Sequence, residues 1–415
     1  MREMLFLAHR FPYPPDKGEK IRSWNLIRHF AQTWRVHLGC LSDSPDDAKY
    51  LPIIRDICGE VASFPITPRL QKLRALARLR PGRPLMVDYY RHPGLQAWVA
   101  RMLRERPIAL AFAYSTPMAA YLLHPGRPKL VLDMVDVDSE KFAAYAAEAR
   151  WPMRHVWARE AGTLLAYETQ AALQADLALL VSDAECARFT ALAPATRGRV
   201  VAVQNGVDLA YFHPALGFAN PYPDVAPRVV FTGHMDYPPN AEAAIWFATE
   251  VLPLLRARDP AWCFVIVGAN PTHAIQALTA QPGIQVTGRV PDIRPWVAHA
   301  TVAAAPLRIA RGIQNKVLEA MAMGRPVVAS PQAFEGVAAT PDRDLLVAEG
   351  APAMAAAIAA VRNGLHPGLP AAARAAMERG YAWAATLRRL DDLLDSRLAL
   401  RDNPAAAPRG QETTA

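Results

Sequence analysis

Cysteine is scarce: Cys40, Cys58, Cys186 and Cys263 are the four thiols in 415 residues. No two form a C-x-x-C pair and their spacings fit no metal-ligand pattern. That excludes a disulfide framework and a cysteine-held zinc site, and the thiols read as buried residues of a reducing compartment. Long hydrophobic runs are missing as well. No apolar stretch reaches the roughly 18 residues that span a membrane. The amino terminus meets charge after a short apolar run, so it does not read as a signal peptide, and a cytoplasmic protein is expected. With 22 Gly and 37 Pro the chain stays below low-complexity composition. Charge is only mildly lopsided, with 46 Lys and Arg against 38 Asp and Glu, a net +8. That surplus is compatible with nucleic acid, an anionic membrane or a phosphorylated ligand. What the chain does have is apolar residues, 52% of the total, enough for sizeable cores. Its length suggests two or three domains.

Short apolar runs alternate with longer helical patterns. Strands are predicted at 4–8, 36–41, 61–66, 108–114, 130–134, 177–182 and 200–204. Helices are predicted between them, at 20–32, 93–105 and 159–175. Continuous apolar strands separated by helices indicate a parallel sheet covered on both faces. Residues 213–228 hold Pro214, Pro221, Pro223 and Pro227 without a periodic apolar face, and read as a linker. The alternation then restarts. Strands are predicted at 229–232, 263–267, 284–287, 302–305, 327–330 and 345–348. Helices fit 241–258, 315–323, 351–362 and 370–394. Two α/β doubly wound, Rossmann-like domains are therefore expected, with ligands outside the carboxyl ends of the strands.

The loops at those ends carry the candidate chemistry. His9-Arg10-Phe11-Pro12-Tyr13-Pro14-Pro15-Asp16-Lys17-Gly18 follows the first strand. Gly18 would let a ligand approach backbone at a helix start, with Lys17 beside it. Asp133, Asp136 and Asp138 end the fifth strand, and carboxylates so close together face solvent or a ligand. They could orient sugar hydroxyls, act as base or hold a metal, although no His or Cys stands nearby, or Asp138 or Ser139 could simply cap the next helix. Asn205-Gly206-Val207-Asp208 is a turn at the domain junction. Gly233 and His234 open the first loop of the second half, with Asn240 as expected cap of the helix near Ala241.

Arg308-Ile309-Ala310-Arg311-Gly312-Ile313-Gln314-Asn315-Lys316-Val317-Leu318-Glu319 is the richest segment. A helix starting near Asn315 presents free amides suited to a diphosphate. Lys316 and Glu319 are three residues apart and share its face. Lys316 can neutralise phosphate, and Glu319 can accept from two adjacent ribose hydroxyls. A plain exposed Lys–Glu pair is the alternative. The basic stretch from Arg69 to Arg80, with Leu recurring at threes, fits either an anionic lipid surface or a solvated helix packed on its own domain.

Together these motifs resemble the two-domain GT-B glycosyltransferases of the large retaining group called family four. Asn205-Gly206-Val207-Asp208, Lys316 to Ala322, Gly324-Arg325-Pro326-Val327-Val328 and Tyr381-Ala382-Trp383 carry the resemblance. Arg10 to Gly18 and Asp133 to Lys141 look most like the sugar transferases of exosortase (PEP-CTERM) exopolysaccharide systems. The resemblance implies transfer from a nucleotide-diphospho-sugar, with retention, to a glycan or lipid-linked acceptor, without cofactor or metal. It implies an acceptor domain at 1–213, completed by a returning helix at about 381–400. A linker at 214–228, a donor-sugar domain at 229–380 and a disordered tail at 401–415 complete the expected layout.

By the same resemblance Gly233, His234, Arg308, Arg311, Gly312, Ile313, Gln314, Asn315, Lys316 and Glu319 would line the donor-sugar site. Lys17, Gly18, Tyr114 and Asp133 would meet the acceptor, and Asp136, Asp138 and Lys316 would carry catalysis. The chain departs from the group at Arg311, which stands where Glu often precedes the ribose-binding Glu by eight residues. His234 and Asn240 fall where Arg and Lys often hold the diphosphate, which leaves that role to Lys316, Arg308 and Arg311. The missing span and the basic Arg69–Arg80 stretch together read as a cytoplasmic enzyme, peripheral on the inner membrane face. A nucleotide-sugar epimerase on the same fold is one alternative. A nucleic-acid-binding protein is another, but the basic stripe with interleaved aromatics that it needs is missing.

Overall fold

The computed structural model describes residues 1–15, 18–77, 82–310 and 312–398. Lys17, Arg311, residues 78–80 of the basic stretch and the 401–415 tail lie outside the described residues. Each of the thirteen expected strands forms. The first sheet holds β1 (Arg2–Ala8), β2 (Trp34–Ser42), β3 (Val61–Pro65), β4 (Ile108–Tyr114), β5 (Lys129–Val135), β6 (Leu177–Leu180) and β7 (Val200–Ala202). The second holds β8 (Arg228–Thr232), β9 (Cys263–Val267), β10 (Ile284–Gly288), β11 (Val302–Ala305), β12 (Val327–Ala329) and β13 (Leu346–Val347). The orders are β3-β2-β1-β4-β5-β6-β7 and β10-β9-β8-β11-β12-β13, parallel throughout. Both sheets reverse direction of growth at their first strand, between β1 and β4 and between β8 and β11. In doubly wound sheets that is where ligands enter.

The strands read as unbroken apolar runs because helices cover both faces. Met4, Phe6 and Ala8 of β1 face one core with Trp24 and Phe30, while Leu5 and Leu7 face another with Trp98 and Met102. The second domain closes around a single cluster that includes Phe231, Phe247 and Phe264. The linker is packed rather than free. Tyr222 is buried against the second domain and donates its hydroxyl to the Trp296 carbonyl at 2.7 Å.

Two helical expectations are corrected. The stretch at 241–258 is broken into Pro238–Trp246, a π turn at Phe247–Val251 and Leu252–Arg256. Pro253 lacks the amide that a continuous α-helix would use there. The stretch at 370–394 is two helices, Leu369–Gly380 and Trp383–Leu398. Between them the chain crosses back to the first domain. Val207 N–H donates to the Tyr381 carbonyl at 2.7 Å, and Val207 bridges Ala382. Trp383, Leu387, Leu390, Leu394 and Leu398 then join the core formed by Phe6, Phe30 and Phe112. The spacing of those five residues puts them on one helix face. His29 Nε2 lies 2.9 Å from Asp391 and ties that helix to the Gly18–Phe30 helix.

Candidate functional site

The site is built where the two switch points face each other. On the second domain, the Asn315–Ala322 helix starts after Gln314, and no side chain caps its first turn. Lys316 Nζ donates to Asn240 Oδ1 at 2.6 Å and lies 4.6 Å from the centre of the Phe231 ring. Asn240 Nδ2 donates to the His234 carbonyl at 2.9 Å. One asparagine thus links the lysine to the loop after β8. Contrary to the expectation from sequence, Asn240 does not cap its helix: the cap position is Tyr237, and Asn240 sits inside the first turn.

Two glycines make room for this link. A Cβ at Gly233 would stand 2.8 Å from Asn240 Nδ2 and 3.3 Å from Lys316 Nζ. A Cβ at Gly268, after β9, would overlap the Gly233 carbonyl oxygen at 1.7 Å. Gly268 escaped the sequence reading. Its one signal is that it follows its strand as Gly233 follows β8.

Lys316 and Glu319 share their helix face one turn from its start. Burial lowers Lys316 to a pKa of about 7 and raises Glu319 to about 7, each partly opposed by the charge of the other. A plain exposed pair would not show such shifts. Gln314 Nε2 donates to the Gly312 carbonyl at 3.2 Å, and Ile313 is buried in the second core. Asn315 Oδ1 is buried without a hydrogen-bond partner. His234 contributes its carbonyl, and its ring is 4.0 Å from Asp236. Arg308 is mostly exposed and pairs its guanidinium with Glu242 at 3.0 Å, on the helix that also carries Asn240.

On the first domain, Gly18 faces Asn315: a Cβ there would lie 3.4 Å from Asn315 Nδ2. Gly312, at φ 65°, faces Asp136, whose Oδ1 would be 2.5 Å from an added Cβ. Gly18, Asp136, Gly312, Asn315, Lys316 and Glu319 therefore frame one cleft. Asp136 and Asp138 share Lys141, at 3.0 and 2.9 Å. The helix that follows is not capped by Asp138 or Ser139, since Val137 holds the cap position. Its start is held from beneath. Glu185 accepts from Val137 N–H at 3.0 Å, and Glu168 accepts from the Ser139 hydroxyl at 2.5 Å. Burial and the Asp138 charge raise Glu168 to about 8, so it is largely protonated at neutral pH.

Asp133 and Tyr114 are corrected. Asp133 is fully buried and takes Arg22 Nε at 2.7 Å and Nη2 at 3.3 Å, while Arg22 Nη1 donates to Asn205 at 3.0 Å. Tyr114 is buried too, its hydroxyl donating to the Glu19 carbonyl at 2.8 Å. Neither is presented to an acceptor. Val135, a β-branched residue at φ 70°, explains why the acidic run divides. The register shift between Asp133 and Val135 turns Asp133 inward and leaves Asp136 at the cleft. The Asn205–Gly206 turn is structural: Gly206 lies under Trp383, whose ring carbons would be 2.6–2.7 Å from a Cβ.

His9, in the loop after β1, adds a buried imidazole that no sequence pattern marks out. It stacks on Tyr114 with centroids 5.8 Å apart and meets Tyr90 edge-on at 5.3 Å. Burial lowers it to about 4, so the ring is neutral, and its Nδ1 lacks a hydrogen-bond partner. Among the described residues no group of three His, Cys, Asp or Glu is placed to hold a metal ion.

The fold has counterparts among known proteins. Residues 226–363 match the family described as Glycosyl transferases group 1. The group 1 match covers the second domain, including Gly233, Asn240, Lys316 and Glu319. The whole chain shares its fold with solved structures at low identity. One is sucrose-phosphate synthase from Thermosynechococcus elongatus, at TM-score 0.71 and 16% identity, over 96% of this chain and 100% of that one. Another is Anabaena Alr3699/HepE in complex with UDP and glucose, at 0.66 and 15%, over 95% and 100%. A third is WaaG, a glycosyltransferase involved in lipopolysaccharide biosynthesis, at 0.61 and 14%, over 94% and 99%. The fold is GT-B. No curated protein matches the chain.

Proposed function

We propose that the chain transfers a sugar from a nucleotide-diphospho-sugar to a glycan or lipid-linked acceptor with retention of configuration. The observation that carries this reading is the Lys316–Asn240 contact beside Glu319, at an uncapped helix start, facing Gly18 and Asp136 across the cleft. Lys316 and the first amides of its helix would neutralise the leaving diphosphate, and Glu319 would accept from the ribose hydroxyls. The transition state would be oxocarbenium-like. Asp136, held by Lys141 at the opposite wall, would orient the acceptor hydroxyl. Closing the cleft would exclude water and protect the sugar from hydrolysis.

HepE was solved with UDP, which makes UDP the first probe. UDP should raise the melting temperature of the wild-type chain, and E319A should abolish that rise along with transfer. Equal stabilisation of both proteins would remove Glu319 from the site. The Arg10–Gly18 and Asp133–Lys141 segments support an exopolysaccharide role of the kind served by exosortase-linked sugar transferases. Among the described residues no helix is long and apolar enough to cross a membrane. A lipid-linked acceptor would then be met by peripheral attachment at the cytoplasmic face, with the basic helix at Pro68–Ala77 as one contact.

A further inference from the structure

The helices Asp138–Glu148 and Met153–Gln174 pack against each other as a hairpin, and its corner stands exposed. Arg150, Trp151, Pro152, Met153, Arg154 and His155 are all exposed in succession. Trp151 is 81% exposed and Met153 41%, with Tyr145 at 46% on the adjoining turn. A tryptophan displayed to that degree calls for a partner, because its ring buries more apolar area than almost any side chain. Just behind the corner, Phe142 and Trp157 pack at 5.5 Å and Tyr145 and Trp157 at 6.3 Å, which stiffens the stem.

The other end of the hairpin is the cleft wall, where Lys141 holds Asp136 and Asp138. Eleven residues of helix place the corner about 16 Å from Asp138. Mid-hairpin, Glu160 accepts from the amides of Leu85 and Met86 at 2.8 Å, just beyond the basic stretch. There Leu70 and Leu73 are 43% and 65% exposed, among exposed Arg69, Lys72 and Arg74.

We infer that the Arg150–His155 corner inserts into an anionic bilayer surface, and that the hairpin sets the height of the cleft above it. This rests on the reading of the acceptor as lipid-linked. The chemistry favours a bilayer. Trp and Met supply an apolar wedge with an indole N–H suited to the interfacial region, and the flanking arginines meet phosphate headgroups.

The test uses the full chain and co-sedimentation with phosphatidylcholine vesicles, with and without one quarter phosphatidylglycerol. Wild type should bind the anionic vesicles. W151A/M153A should lose on the order of tenfold in partitioning, and R150Q/R154Q should lose most of its preference for the anionic vesicles. Both variants should keep the UDP-dependent melting shift, which separates failure here from failure of the donor-sugar assignment. Wild type that ignores anionic vesicles, or W151A/M153A that binds them as wild type does, overturns the inference. So does a wild-type dimer that W151A/M153A abolishes in sedimentation velocity without any vesicle binding. That result would assign the corner to a second copy of the chain.

Discussion

Lys316 Nζ sits 2.6 Å from Asn240 Oδ1, so the cation of the candidate site is held by a helix that begins 78 residues earlier, at Pro238. Gly233 sits between them and could not carry a side chain without disturbing both. Asn240→Ala should therefore leave Lys316 in place but unaimed. A charge-assisted hydrogen bond contributes roughly 1.5–3 kcal/mol, equivalent to about a tenfold to hundredfold loss. The loss should appear mainly in KM for the nucleotide-sugar, measured in steady-state transfer assays. Asn240→Asp should restore part of it.

Lys316 and Glu319 also set a pH signature. Lys316 holds its proton more weakly in the folded chain than in the unfolded one, so stability should rise as pH climbs from about 7 towards 10.5. Glu319 holds its proton more strongly when folded, so stability should fall as pH climbs from 4.5 to about 7. The two trends leave a shallow minimum near neutrality. The K316M/E319Q chain should melt a few degrees higher than wild type at pH 7 and lose that minimum, while losing transfer. Differential scanning fluorimetry from pH 5 to 9 reads this directly. A wild-type profile with no dip would refute it.

Gly268→Ala tests the glycine that the sequence reading passed over. Its Cβ has backbone, not a flexible side chain, at 1.7 Å. Destabilisation of about 1–3 kcal/mol or more is expected in urea melts. UDP stabilisation should fall as well, because the Gly233 loop must move.

Arg22 and Asp133 form a fully buried ion pair, completed by Asn205. Arg22→Ala should cost roughly 3–5 kcal/mol, since it strands a buried carboxylate. The R22M/D133L double variant should recover much of that loss. Recovery in urea melts, set against each single variant, gives the coupling.

The strands were legible because helices on both faces force unbroken apolar runs such as Met4 to Ala8, and few other patterns look like that. Lys316 and Glu319 were legible from spacing and from the glycine before them. Asp133 was not, because one positive φ at Val135 turns it into the core, and no side-chain pattern announces that bulge. Asn240 was misread for a related reason. An asparagine near a helix start has two uses, and only the arrival of Lys316 from a distant segment selects between them.

The helix Trp383–Leu398 belongs to the core of the first domain but is the last helix of the described chain. During synthesis, strands β1 to β7 leave the ribosome long before the side chains that finish their packing. The first domain must wait, with the face around Phe30 and Phe112 uncovered, while the second domain is made and free to fold. The order of completion is thus the reverse of the order of translation. A ribosome stalled before Trp383 emerges would hold a chain whose second half is folded and whose first half is still open to chaperones.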